Sequence, residues 1–235
     1  MSEPPISIAF FDPDRQLHGS GRAGATLLFE GSSAEAVPEG PEIERDGDRL
    51  RARLAGRFEL ELEPLGEAAD LGSVSARVCR VRGEVGTAKV DCLGTASVTR
   101  DAPAWDQLDA LRSLSVLVDE RHALLALARR PRGARGHGEE LVTARLLSDG
   151  ELLAVEEARI STVYDGEGRQ RSAGLELWLP GEDFPRRGSG SALAGTSLEL
   201  EGLQVHAAVF GWRLEGRAGI GSYELMVRSQ APAAA

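Results

Sequence analysis

The densest cluster of side chains that could carry out chemistry is the segment Thr99–Asp106, with the sequence TRDAPAWD. Arg100 and Asp101 lie shortly before Trp105, where a strand-like run gives way to a turn. Charged groups at the mouth of a cavity can recognise a polar group while an indole ring covers an apolar one. The same residues also suit an exposed salt bridge, with an aspartate capping a short helix over Ala104–Leu114. Both interpretations stay open at the level of sequence.

No motif for a metal or a cofactor accompanies this cluster. No HExxH, CxxC or EF-hand spacing occurs. Cys79 and Cys92 are therefore expected to be packed thiols rather than a disulfide or a metal site. The Gly-rich stretch Pro131–Gly138 lies between two strand-like runs without a lysine, which predicts a hairpin tip and not a phosphate loop. The histidines are isolated from one another in the sequence, and they are His18, His122, His137 and His206. We predict no metal and no cofactor.

The hydrophobic period along the chain is two residues nearly everywhere. In the stretch RFELELE, the apolar residues Phe58, Leu60 and Leu62 alternate with glutamates, so an extended strand places all three on one face. The same alternation recurs in Leu50–Leu54, Val142–Leu146, Leu175–Leu179, Leu198–Leu203, Val205–Trp212 and Tyr223–Val227.

Turn-forming pairs separate these runs. Asp46-Gly47, Asp149-Gly150 and Asp165-Gly166 each lie between two strand-like segments, and Asp-Gly readily adopts the positive φ values of tight hairpins. Parallel strands would need helical crossovers, whereas the best helix candidates are short, Ala34–Val37 and Ala104–Leu114. The pattern predicts an all-β, mostly antiparallel protein.

A change of pattern near Arg80–Thr87 predicts a boundary between two β domains, residues 1–85 and 86–235. Each domain is expected to be a curved antiparallel sheet of barrel type. Two stretches rich in small residues, Gly31–Pro41 and Gly181–Ser197, are predicted to be loops.

Charge and composition exclude several classes of partner. The chain has 37 acidic and 27 basic residues, a formal charge of −10, so its average field repels nucleic acid. No run approaches the ~20 apolar residues of a membrane span. The opening MSEPPIS lacks the basic start and apolar stretch of a signal peptide, so we expect a cytoplasmic location.

Several short motifs resemble one group of known proteins. FFDP at residues 10–13 and LHGSGRAG at 17–24 resemble the opening of lipocalin-like proteins of the AttH and carotenoid 1,2-hydratase (hydroxyneurosporene synthase-like) type. Those proteins continue into a motif close to Arg-Asp-His-Ser-Trp-Gly, which Arg100 and Asp101 match residue by residue and Trp105 matches with a shift. Two later segments also fit, Gly174–Trp178 and Gly219–Glu224.

The resemblance implies two antiparallel lipocalin-like (calycin) barrels side by side. This chain is shorter than the usual two-barrel protein, which leaves the completeness of the N-terminal barrel open. The leading functional hypothesis is therefore that the protein binds a hydrophobic or amphipathic small molecule inside a barrel of about eight strands. A terpenoid, a polyene or a lipid-like compound would fit this description.

Such a protein could also perform cofactor-independent hydration, isomerisation or cyclisation. Asp101 or Glu224 would then act as acid or base, and Arg100 would hold the carboxyl group or a substrate oxygen. The other residues expected to contact the ligand are Trp105, Trp212 and Tyr223.

The alternative is a non-catalytic relative that has kept the barrel fold but not the activity. Ala102 and Pro103 stand where the related motif has His and Ser, which favours a non-catalytic carrier. A homo-oligomeric structural protein is a third hypothesis, and a large exposed apolar face would favour it.

Overall fold

The computed structural model describes residues 4–228, apart from the side chain of His137. These residues form two antiparallel sheets, so the predicted all-β antiparallel class is confirmed. The described part of the chain has no helix of the length and apolar character that crossing a bilayer requires.

The first sheet contains the N-terminal strands. In chain order they are β1 (Ile6–Asp12), β2 (Leu17–Arg22), β3 (Ala25–Glu30), β4 (Ser33–Val37), β5 (Glu42–Asp46), β6 (Arg49–Leu54), β7 (Phe58–Pro64), β8 (Ala69–Asp70), β9 (Val74–Val85) and β10 (Ala88–Thr99).

The second sheet contains the C-terminal strands, and a 3-10 turn at His137–Glu139 precedes its third strand. In chain order they are β11 (Leu108–Asp119), β12 (His122–Pro131), β13 (Leu141–Ser148), β14 (Glu151–Ala154), β15 (Glu157–Tyr164), β16 (Gln170–Trp178), β17 (Arg186–Leu200), β18 (Leu203–Leu214) and β19 (Arg217–Arg228).

The two sheets have the same topology. The first follows the order β4-β3-β2-β1-β10-β9-β7-β6-β5, with β8 paired to β9 outside this path, and the second follows β14-β13-β12-β11-β19-β18-β17-β16-β15. In both sheets the first strand in chain order pairs with the last, and the fourth and fifth strands in chain order lie at the two ends of the path. Each sheet is therefore a curled half-barrel, and the N-terminal one has the same nine-strand path as the C-terminal one.

The division between the sheets lies after the predicted boundary. β9 and β10 pair along their whole length, from Val85 opposite Ala88 to Val74 opposite Thr99. The boundary expected at residues 85 and 86 therefore falls in a hairpin turn, where Gly86 has a positive φ of 58°. Residues 100–107 connect the two sheets.

The hydrophobic core has three layers. One fills the first half-barrel around Phe10 and Leu60, and another fills the second around Leu124 and Phe210. The third lies between the sheets and includes Leu125. Strand β12 is buried on both faces, which explains its continuous apolar run, whereas β6 and β7 alternate because one face meets solvent.

The three Asp-Gly pairs connect consecutive strands, as predicted. Asp46-Gly47 joins β5 to β6, Asp149-Gly150 joins β13 to β14, and Asp165-Gly166 begins the connection from β15 to β16. Gly47 and Gly150 adopt φ values of 61° and 87°, which favour glycine.

The helix and loop predictions were wrong in three places. Ala104–Leu114 is a turn followed by the start of β11. Both faces of β11 are buried, so its apolar residues do not alternate and their spacing resembles that of a helix. Ala34–Val37 lies in β4, which is also part of the predicted loop Gly31–Pro41. Most of Gly181–Ser197 belongs to β17, where Gly190 leaves room for the ring of Trp212, since a Cβ there would clash with it.

Both cysteines are packed thiols, as the sequence predicts. Cys79 and Cys92 are free and buried in the first half-barrel. Burial raises the pKa of each thiol to about 12, so both stay protonated at neutral pH.

A buried polar network ties the second half-barrel together. The side chains of Arg112 and Glu140 are each 1% exposed and form an ion pair, and Arg130 also donates to Glu140 at 2.8 Å. The Nη1 of Arg112 donates to the Tyr223 hydroxyl at 2.8 Å and to Thr162 Oγ1 at 3.0 Å. The network joins the end strand β15 to β11 and β19 across the interior.

We predict that Arg112→Met lowers the free energy of unfolding by about 3 kcal/mol or more, because Glu140 would lose one of the charges that compensate it in the interior. Urea denaturation measures the change. Arg171→Met is the control: Arg171 is exposed on β16, so its replacement should change stability by less than about 0.5 kcal/mol. Equal losses in the two variants would contradict the assigned role of the network.

Candidate functional site

A cavity of about 430 Å³ lies between the two sheets; we call it the inter-sheet cavity. Strands β1, β2, β3, β9 and β10 line it from the first sheet, and β11, β12, β17, β18 and β19 line it from the second. The sequence hypothesis placed a ligand inside a barrel, but large apolar side chains pack the interiors of both half-barrels.

Strand alternation decides which side chains reach this cavity. On β11, Ser113 and Ser115 point between the sheets, while Leu114 belongs to the core of the second half-barrel. On β18, Ala207 lies on the cavity side and Phe210 on the interior side. Small residues at cavity-side positions leave space that larger ones would fill.

The walls are mainly apolar. They include Phe11 and Phe29 from the first sheet and Leu125 and Leu127 from the second. Trp105, from the connection between the sheets, is half-buried and also lines the cavity.

One ion pair crosses the cavity region from sheet to sheet. Arg22, at the end of β2, contacts the carboxylate of Glu224 on β19. Their side chains are 23% and 13% exposed, respectively. The charge of Glu224 raises the pKa of Arg22, which therefore stays charged. A second Arg22 nitrogen lies 3.8 Å from the Met226 sulfur.

The sheet hydrogen bonding is interrupted where β11 meets β19 beside the cavity. The Ser222 N–H donates to the Ser115 side-chain oxygen at 3.0 Å, and no ladder pair is formed there between Leu114–Tyr223 and Leu117–Ile220. Gly221 permits the close approach, because a Cβ at that position would clash with the carbonyl of Ser115.

His18 lies between the sheets on the same side of β2 as Arg22. It is 3% exposed, and its Nδ1 has no hydrogen-bond partner among the described residues. Burial lowers the pKa of His18, and the negative charge of Asp12 opposes that shift only in part. His18 is therefore neutral in the folded protein near pH 7.

The structure separates the site residues predicted from sequence. Glu224 and Trp105 line the inter-sheet cavity. Tyr223 contributes to the lining, but its hydroxyl points to the opposite side of β19 and joins the Arg112 network. Trp212 packs against Phe210 in the second half-barrel, with ring centroids 5.0 Å apart.

The Arg-Asp pair of the predicted cluster lies on the surface. Asp101 is exposed. Arg100 pairs with Asp70 and donates to the Gly72 carbonyl at 2.7 Å, which fastens the connection between the sheets to the turn before β9. Asp101 and Glu224 therefore do not meet in a common cavity.

Two arginines that form buried or half-buried ion pairs, Arg22 and Arg112, were not predicted from the sequence. Arg22 lies in the motif that carried the resemblance, but nothing in its local spacing indicates a partner about 200 residues away. No local pattern indicates Arg112 either, because β11 is buried on both faces and its apolar residues do not alternate with polar ones. Among the side chains that the structure describes, no group of three or more metal-binding residues comes together.

No protein-family model and no curated protein matches the sequence. Among solved structures, an AttH candidate from Nitrosomonas europaea has a TM-score of 0.62 and 13% identity, over 97% of this chain and 93% of that one. CghA has a TM-score of 0.63 and 9% identity, over 99% of this chain and 91% of that one. The chain therefore has an AttH-like, lipocalin-like double-calycin fold, which confirms the fold that the resemblance implied.

We predict that acid weakens the protein through His18. The unfolded chain binds a proton near pH 6.5, whereas the buried imidazole binds one only at lower pH, so stability falls as pH drops below about 6.5 and is level above it. Urea denaturation between pH 5 and pH 7.5 measures this slope. His18→Leu should have a shallower slope and keep only the part due to other groups, such as His206, whose pKa burial also lowers. An unchanged slope would contradict the assignment.

Proposed function

We propose that this protein binds a hydrophobic or amphipathic small molecule, such as a terpenoid, a polyene or a lipid-like compound, in the inter-sheet cavity. The observation that carries the proposal is the mainly apolar lining of a 430 Å³ space with one ion pair beside it. Ligand sites typically have a volume of about 300–1,000 Å³, apolar walls and a few polar groups that orient the ligand.

Binding without chemistry agrees best with the placement of the carboxylates. Asp101 is exposed, and Glu224 is engaged by Arg22. Acid–base catalysis by Glu224 would first require the ligand to separate this ion pair, because a general acid or base must reach the proton that it transfers. A carrier role needs no such step.

The structural-protein hypothesis has less support. It calls for a large exposed apolar face. The large apolar side chains that are exposed in the described residues lie on four different segments of the second half, and they are Leu141, Val163, Phe184 and Leu193.

We predict that filling the cavity prevents binding. Ala207 lines the inter-sheet cavity on β18, so a phenyl ring in Ala207→Phe would occupy ligand space. The purified variant and the wild type would be incubated with a lipophilic cell extract, re-isolated and examined by native mass spectrometry. We expect a retained small molecule in the wild type and at least a tenfold lower occupancy in Ala207→Phe.

Ala192→Phe is the matched control, because Ala192 is exposed on β17 and the substitution is the same. It should retain as much ligand as the wild type. A wild type that emerges empty from repeated extracts would contradict the proposal, and so would equal retention by Ala207→Phe. Recovery of a chemically altered ligand would add an enzymatic role to binding.

A further inference from the structure

A second guanidinium lies beside the inter-sheet cavity, next to residues that line it, although it is not itself part of the wall. Arg129 follows Leu125 and Leu127 on the side of β12 that lines the cavity, and its pairing neighbour on β11 is Leu111, which also lines it. The Nη2 of Arg129 is 3.5 Å from the position that a Cβ on Gly72 would occupy. Two residues near Gly72 in sequence, Leu71 and Val74, line the cavity from the first sheet.

Arg129 has no partner within the described chain. It is half-buried, its Nε is shielded from solvent, and it makes no hydrogen bond or ion pair with residues 4–228. Other arginines without a partner there, such as Arg171 and Arg217, are exposed to solvent. A guanidinium that is partly withdrawn from water without an acceptor is unfavourable, so this position suits an acceptor from outside the chain.

The other cation of the cavity is already compensated. Arg22 contacts Glu224, so a ligand gains little by offering it a second negative charge. The whole chain carries a formal charge of −10, so its average field does not attract anions. An anion that enters this cavity therefore needs a local cation, and Arg129 provides one.

We propose that the ligand of the inter-sheet cavity is an amphipathic anion whose carboxylate-type head group binds Arg129. Its apolar part would lie between the apolar walls, and the planar guanidinium can donate two parallel hydrogen bonds to a carboxylate. This inference rests on the proposed function and adds the chemical class of the ligand.

The test compares two probes with the same chain, decanoate and decanol, by isothermal titration calorimetry at pH 7. The wild type should bind decanoate about tenfold more tightly than decanol, a conservative value for a hydrogen-bonded charge. Arg129→Gln should bind both equally, with its affinity for decanol unchanged. Arg171→Gln removes an exposed arginine and should keep the tenfold preference.

The outcomes separate the two proposals. If the wild type binds decanol and decanoate equally, or if Arg129→Gln keeps the preference, the assignment of Arg129 is overturned while the cavity remains a binding site. If the wild type binds neither probe, the proposed function itself fails. Should Arg129→Gln bind neither probe, Arg129→Lys decides, because a retained preference for decanoate supports the assignment and a lost one overturns it.

Discussion

The burial of both faces of the central strands is the constraint on which the rest of the structure depends. In each half-barrel one face of these strands closes a filled interior, and the other face packs against the second sheet. β12 shows this most clearly, since Leu124 faces its own half-barrel and Leu125 faces the partner sheet. A space for a ligand can therefore arise in the layer between the sheets, where small residues such as Ser113 and Ala207 replace larger ones.

Three arginines show how this acidic chain places positive charge away from water. Arg112 is enclosed in the second half-barrel and compensated by Glu140. Arg22 lies between the sheets and is compensated by Glu224 from the opposite sheet, so this ion pair also depends on how the sheets are placed. Arg129 lies on the cavity-facing side of β12, beside residues that line the same space, without a compensating group in the described chain. The first contributes to the fold, the second links the two halves, and the third leaves an interaction for a ligand.

The local pattern of the sequence was enough to predict strands and hairpins but not which strand faces meet. Alternation identified β7, and Asp149-Gly150 identified the turn between β13 and β14. β11 was misread because a strand buried on both faces loses the alternation that distinguishes it from a helix. Trp105 and Glu224 were chosen from short motifs and do line the cavity, whereas no local pattern indicates the space itself. The shared topology of the two halves is likewise absent from the sequence as a repeat, because pairing order is set by contacts between distant segments.

The most direct test of ligand binding in the inter-sheet cavity is an NMR titration that follows the methyl resonance of Met226. The chain has two methionines, and Met226 lines the inter-sheet cavity beside Arg22. With methyl-13C-methionine labelling, titration with decanol should shift the Met226 signal in a saturable manner, and Ala207→Phe should abolish the shift. Saturable binding of decanol that leaves the Met226 resonance unmoved would place the ligand elsewhere and contradict the account.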